Sequence, residues 1–432
     1  MAPGTWAPTR RWDAIPNAAN WKDLSPRIGI AHDVFGDGRT AVKGSISRYL
    51  RVDTIGMAAS RNPVNASVTN ATRFWQDANG DFFPDENELG PYSNANFGRS
   101  VLTNVFAPDV YSGFGTRRNN WEYSLGIEQE ILPRMSLDVS YWRRVQGNFS
   151  VTDNALVGPG DFDPYCVMAP SDQRLPNGGG YEVCGLYDVN PTSFGQVQND
   201  IVPAEPNGYT MEQVFDGLDV VINSRISGDL FVYGGVSLGR TRFNDCDARP
   251  DNPAAVPTLA LTAGGAGTGG GWDSEEAAGI ILPRGHHCSI NPPFFRPAWK
   301  LSGAYTLPWY DVQLSGFLQN LPGVPILATW NAPASAIEPA LGRPLAGGAQ
   351  SAEIHLIQPG TMFADRLNQL DIRLSKLFRF DADRELRLML DAYNMLNDNA
   401  PLAINDTYGP AWQVPVNILL ARFVKFGAQL TW

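Results

Sequence analysis

The chain has 432 residues, and its 44 acidic against 33 basic residues leave a net charge of −11. With no basic stripe to set against that balance, nucleic acid is excluded as a partner. No apolar run reaches the roughly eighteen residues of a transmembrane helix, which leaves the closed β-barrel as the way such a chain would cross a bilayer.

The first residues, Met1-Ala2-Pro3-Gly4-Thr5-Trp6, have neither a charged n-region nor an apolar h-region, so no signal peptide is expected among them. A short turn at Gly36-Asp37-Gly38 is followed by a long connection over roughly residues 50–116. Within it, Asp77, Asn79, Asp81, Asp85 and Glu88 take the first, third, fifth, ninth and twelfth places of an EF-hand-like calcium loop. The sixth place is Phe82 where glycine is usual, and no helical pattern flanks the loop, so Asx-turns in a solvated acidic loop are the competing reading.

From Trp121 the chain alternates. Trp121, Tyr123, Leu125 and Ile127 oppose Glu122, Ser124, Gly126 and Glu128, the period-two pattern of a strand with one apolar and one polar face. After Leu132-Pro133-Arg134, Met135, Leu137, Val139 and Tyr141 oppose Ser136, Asp138 and Ser140. A second long connection, roughly 150–210, contains Cys166 and Cys184. Leu218, Val220 and Ile222 then face away from Asp219, Val221, Asn223 and Arg225, and Ser227-Gly228-Asp229 turns the chain into Leu230–Leu238.

A third long connection, roughly 244–293, holds Cys246 and Cys288, with His286 and His287 beside the latter. Adjacent residues cannot easily aim three ligands at one zinc ion, and no Cys-x-x-Cys pair is present. The even cysteine count in loop sequence points to disulfides, Cys166 with Cys184 and Cys246 with Cys288, each bracketing one loop, and hence to an oxidising compartment. The glycine run Gly264–Gly271 lacks a following Lys-Ser/Thr and reads as loop, not a phosphate cradle. His32, His286, His287 and His355 stand in no G-x-S-x-G or H-E-x-x-H setting, so no hydrolase and no other enzyme is expected.

Further alternating segments run at Trp299–Leu307, Val312–Leu318, Leu370–Leu374 and Leu386–Ala392. Leu307-Pro308-Trp309 makes a short turn, while roughly 321–364 and 397–418 are long connections. Short and long connections thus take turns, as in an up-and-down transmembrane barrel with tight periplasmic turns and large extracellular loops. Tyr49, Tyr141, Trp142, Tyr305, Trp309 and Tyr310 lie at strand ends, where an aromatic girdle is expected. The last strand puts Val424, Phe426, Ala428, Leu430 and Trp432 on one face; an aromatic end of this kind resembles the signal read by the outer-membrane assembly machinery. The expected fold is all-β, an antiparallel up-and-down transmembrane β-barrel, partial, of about 10–12 strands, spanning residues 1–432 as one domain.

Several segments, in this order, resemble TonB-dependent receptors of the Oar-like type, which carry a carboxypeptidase-regulatory-like domain. They are Asn20–Gly29, Asp33–Val42, Asn120–Ser124, Leu132–Arg134, Asn148–Asn154, Gly185–Pro191, Asp391–Asn397 and Ala421–Phe426. The resemblance implies the C-terminal part of a barrel of about 22 strands in the outer membrane of a Gram-negative bacterium. Such a receptor imports a bulky nutrient and meets TonB through a plug; this sequence contains neither plug nor TonB box. Membrane lipid is the other implied partner, and calcium the one candidate cofactor. The alternative is a surface-exposed outer-membrane barrel for adhesion or structure, without transport. If these residues are the whole molecule, the missing half predicts a sheet with unpaired edges.

Overall fold

The computed structural model describes residues 9, 11–16, 18–52, 55–102, 104–246, 256–257, 286–380 and 384–432. The run Gly264–Gly271 lies outside the described residues. Eleven strands form one continuous antiparallel path: β1 (Arg27–Asp33), β2 (Thr40–Leu50), β3 (Asn119–Leu132), β4 (Met135–Gly147), β5 (Glu212–Arg225), β6 (Leu230–Asn244), β7 (Ala298–Thr306), β8 (Val312–Leu321), β9 (Leu367–Arg379), β10 (Glu385–Tyr393) and β11 (Phe423–Thr431). Each strand pairs with its neighbours in sequence order among these eleven, which is up-and-down topology. The two outer strands, β1 and β11, are each paired on one side only. The sheet is therefore open, as the sequence predicts for a partial barrel. No helix among the described residues is long and apolar enough to cross a membrane.

Register makes the two faces. Directly paired residues share a face, so the pairs Ile46↔Tyr123, Leu125↔Tyr141, Val139↔Val220, Val220↔Val236, Val236↔Trp299, Leu301↔Leu318, Leu318↔Leu370, Leu374↔Leu390 and Leu390↔Phe426 carry one apolar surface from β2 to β11. Much of it is exposed: Ile28 keeps 72% of its surface, Leu125 61% and Phe426 81%.

The opposite face is ion-paired and hydrogen-bonded. Lys43 meets Glu128 at 2.5 Å, Arg144 meets Glu122 at 2.7 Å and Arg373 meets Asp391 at 2.5 Å. Gln319 donates to Gln369 at 2.7 Å, and the Ser45 and Ser124 hydroxyls lie 2.6 Å apart. At Gly234 and Gly235 in β6 only glycine fits. A Cβ there would stand 2.3 Å from the Lys300 carbonyl oxygen or 2.1 Å from that of Val220, so β6 approaches both neighbours closely here.

The aromatic girdle is only partly as expected. Tyr141 and Tyr305 stand on the apolar face, paired with Leu125 and Leu314. Trp142, next in sequence to Tyr141, pairs with Ser124 on the polar face, because consecutive strand residues point to opposite sides. Tyr49 also belongs to the polar face, where the Arg27 guanidinium lies 4.6 Å from its ring centroid. Trp309 and Tyr310 sit in the turn between β7 and β8.

The five long connections all leave from one end of the sheet and the short ones from the other. Between β9 and β10 the Phe380 backbone N–H donates to the Arg384 carbonyl at 3.0 Å, a fifth short connection that the sequence pattern does not mark. The largest buried apolar cluster is not in the sheet: Tyr165, Val167, Val183, Leu186, Ile337, Ile354, Leu356, Ile357 and Trp412 all come from long connections.

Candidate functional site

Three connections build a cap at the long-loop end. Strand Phe162–Met168 pairs with Glu182–Val189, and the Cys166–Cys184 disulfide joins the two. Strand Thr329–Pro333 pairs with Ser351–His355, and helix Ala334–Leu341 between them buries Ile337 and packs on Phe162–Met168. Trp412, only 1% exposed, donates its indole N–H to the Leu327 carbonyl at 2.7 Å.

Two arginines pin the cap. Arg343 reaches Asp163 at 2.7 Å and Asp188 at 2.5 Å and donates to the Asp188 and Val189 carbonyls. Arg174 holds Asp172 at 2.7 Å, donates to the carbonyls of Trp412 and Gly409 and lies over the Trp412 ring. That pairing, with the Arg174 backbone N–H, lowers the Asp172 carboxyl to about 2. Nothing local in the sequence marks these contacts, since Arg343 and Asp163 lie 180 residues apart.

The second disulfide, Cys246–Cys288, forms as expected, so all four cysteines are spoken for and none is left for zinc. It sets His286 and His287 against the cap. Their ring centroids lie 3.9 Å apart, His287 Nε2 is 3.1 Å from the His355 carbonyl oxygen, and His286 Nδ1 is buried without a hydrogen-bond partner. Beside them is a cavity of about 420 Å³ lined in part by Tyr181, Glu182 and Gln358. Burial, then the neighbouring His287 and His355, push His286 down to about 3.

The polar face of the sheet has a concavity at each end. At the long-loop end a cavity of about 520 Å³ is lined by Trp21, Phe149, Tyr209, Met57 and Met211 together with Arg51, Arg118, Asp109 and Glu205. Arg118 donates to Gln213 at 3.1 Å there, which ties the cavity to β5. At the short-turn end a cavity of about 710 Å³ is lined by Arg39, Glu128, Glu130, Arg134, Arg225 and Tyr233. Mixed aromatic, apolar and charged walls suit an amphipathic solute.

The acidic loop folds back on itself. Carboxylate oxygens of Asp77, Asp81 and Glu88 gather within 4.8 Å of one another; Asp85 lies outside that group. Glu88 is buried and accepts the backbone N–H groups of Ala78 at 2.9 Å and Asn79 at 3.3 Å. Asp77 accepts from Gly80 and Phe82, and Asn79 touches Asp81 at 3.1 Å. Phe82, at the place where glycine is usual, has the same left-handed backbone, with φ of 59°. In place of a flanking α-helix, a single 3₁₀ turn covers Glu86–Glu88. The contacts among these side chains also fit the Asx-turn reading.

No family model and no curated protein matches the chain. Among solved structures it is similar to the ferripyoverdine receptor of the outer membrane of Pseudomonas aeruginosa, at 9% identity and a TM-score of 0.39, covering 94% of this chain and 32% of that one. It is similar to the outer-membrane transporter YddB of Escherichia coli at 8% identity and a TM-score of 0.42, covering 93% and 40%. For the FrpB iron transporter of Neisseria meningitidis the values are 12%, 0.39, 94% and 38%. The chain thus spans between 32% and 40% of the length of these three proteins.

The histidine seam makes the cap sensitive to acid in a stated window. The folded-state value of His286 lies below its ordinary 6.5, so its contribution is complete above pH 6.5 and is lost as pH falls towards about 3. Asp172 acts at lower pH, its contribution present above 3.8 and lost only towards about 2. The protection factors of the backbone amides around residues 286–290 and 353–358, taken relative to the intrinsic exchange rate at each pH, are expected to fall between pH 6.5 and 3, and His286→Gln is expected to flatten that fall. Protection factors that are independent of pH in the unaltered protein would contradict this.

Proposed function

We propose that the chain is the C-terminal part of an outer-membrane transport barrel in a Gram-negative bacterium. Its sheet lies in lipid by the apolar face, and its loops receive a bulky solute. One observation carries the reading: eleven strands paired in one continuous antiparallel path hold an exposed apolar surface on one side and ion pairs on the other, with every long connection at one end. In water such a surface is a liability, and in a bilayer it is what spanning requires.

Parity says how the barrel closes. Eleven alternating strands leave β1 and β11 running the same way, so joining them directly would make a parallel seam. An odd number of further strands closes an all-antiparallel barrel with an even count, the usual state of bacterial barrels. By the resemblance, those strands and a plug belong to the rest of an Oar-like TonB-dependent receptor, and TonB would act through that plug. The paired cavities on the polar face favour passage over an adhesive or purely structural barrel. Coding sequence ahead of Met1 separates the two: a globular region able to fill the barrel supports transport, and a direct run into further strands without one supports adhesion.

Calcium at Asp77, Asn79, Asp81, Asp85 and Glu88 belongs to the same proposal. It would stiffen a long loop before solute arrives and so lower the entropy lost on binding. Asp81→Ala and Glu88→Ala are each expected to weaken calcium binding, whose dissociation constant in extracellular modules is about 10⁻⁴ to 10⁻³ M. Calorimetry that detects no heat at millimolar calcium, with no protection of the loop from protease, would leave the Asx-turn reading.

The membrane assignment is tested by the two faces. Val220→Arg, at the centre of the apolar face, is expected to destabilise the lipid-embedded protein by about 2–4 kcal/mol. Ser237→Arg on the polar face is expected to change stability little. Urea titration in lipid vesicles reads both; equal effects would contradict the assignment.

A further inference from the structure

The apolar face is free of charge over most of its extent, and its charged residues are not scattered. Lys376 apart, the register places them all at the long-loop end of β2, β4, β5 and β6: Arg48, Arg143, Arg240 and Arg242, with Asp216 and Glu212. One row reads Tyr123, Arg143, Asp216, Arg240 across four strands, and the row above it runs from Arg48 through Trp121, Val145 and Val214 to Arg242. The row below, Leu125, Tyr141, Leu218, Leu238, is already the apolar surface. Four guanidiniums against two carboxylates therefore line the lip where that surface meets the loops.

Asp216 is the strut of this patch. Its Oδ1 accepts from the Tyr141 hydroxyl at 2.7 Å and from Arg143 at 2.8 Å, and its Oδ2 lies 3.4 Å from Arg242. The Arg143 side chain remains 40% exposed and that of Arg242 30% exposed. Arg240 donates to Asn291 at 3.0 Å. The Nε atoms of Arg48, Arg240 and Arg242 are buried with no acceptor. One buried carboxylate thus holds two guanidiniums in place without neutralising the patch.

We infer that this patch binds the phosphate groups of an anionic membrane lipid, whose acyl chains lie on the apolar face below it while its headgroup meets Arg143, Arg240 and Arg242. The inference rests on the proposed membrane assignment. Guanidinium forks suit phosphate oxygens, and their position at the lip sets them at headgroup depth. The net positive charge is local, on a chain whose overall charge is −11.

The test uses the full chain inserted into phosphatidylcholine vesicles doped with a bis-phosphorylated glucosamine lipid. Lipids co-extracted with the protein are counted by native mass spectrometry. The unaltered protein is expected to enrich the phosphorylated lipid over phosphatidylcholine, and Arg143→Gln with Arg240→Gln is expected to cut that enrichment roughly tenfold. Glu122→Gln with Arg144→Gln, on the polar face, is expected to leave it unchanged. Inorganic phosphate added to undoped vesicles separates the sources: if it binds as well as the lipid does, the site takes free phosphate and the lipid assignment fails. A protein that inserts, by protease protection, yet enriches no phosphorylated lipid overturns this inference alone. A protein that does not insert overturns the membrane assignment and the inference with it. Should the double arginine variant fail to insert, Asp216→Asn, which releases Arg143 and Arg242, is expected to lower enrichment while insertion persists, and unchanged enrichment there would count against the patch.

Discussion

Side chains on a strand alternate, so a slip of one residue between β1 and β11 would send the apolar row of that strand to the ion-paired face and partners such as Lys43, Glu122 or Arg373 to the other. Register is therefore the constraint on which the rest depends. The Lys43–Glu128 pair is exposed on both sides and individually worth little, while the arginines of the other two pairs are exposed and their carboxylates more covered. Their weight lies in specificity: Lys43 meets Glu128, Glu122 meets Arg144 and Arg373 meets Asp391 only in the one register that also joins Leu125 to Tyr141 and Leu390 to Phe426.

The same division places the hydrophobic cores. On the proposed placement, with the apolar face in lipid and the polar face towards a water-filled interior, the sheet has no face left to bury in protein. The packed core is accordingly in the cap, around Trp412 and Ile337, where loops act as a small globular unit stapled by a disulfide. The cap is held by its own packing and a disulfide, so under the proposed function solute binding need not order its backbone. The 520 Å³ cavity, by contrast, lies among connections tied to β3, β4 and β5, outside that core. Under the proposed function the cap gives support and the cavity contacts solute.

The sheet was legible in the sequence because its signals are local. Period-two runs show within a few residues, and alternating short and long connections show without knowing any contact. Both disulfides followed from each cysteine pair bracketing one loop. The cap was not legible, because its contacts join residues far apart in sequence: Arg174 to Gly409 and Arg343 to Asp163 span hundreds of positions or nearly so. Its buried residues are divided among three connections, with Tyr165 to Leu186 in one, Ala328 to Ile357 in another and Trp412 in the third, so no single run of sequence displays the cluster. The girdle was partly misread for a simple reason: Tyr141 and Trp142 are neighbours, and neighbours in a strand cannot share a face. The acidic loop was legible as a spacing of oxygens, while the backbone state of Phe82 was not, because a bulky residue seldom adopts positive φ.

The proposed membrane placement puts one face of this sheet in lipid and the other in water. Nitroxide labels placed singly at positions 137 to 141 of β4, in protein reconstituted into lipid vesicles, test it by relaxation with oxygen and with a water-soluble nickel chelate. The account predicts a period of two, with Leu137, Val139 and Tyr141 positions reached by oxygen and the Asp138 and Ser140 positions reached by nickel. Equal nickel access at all five positions would contradict it.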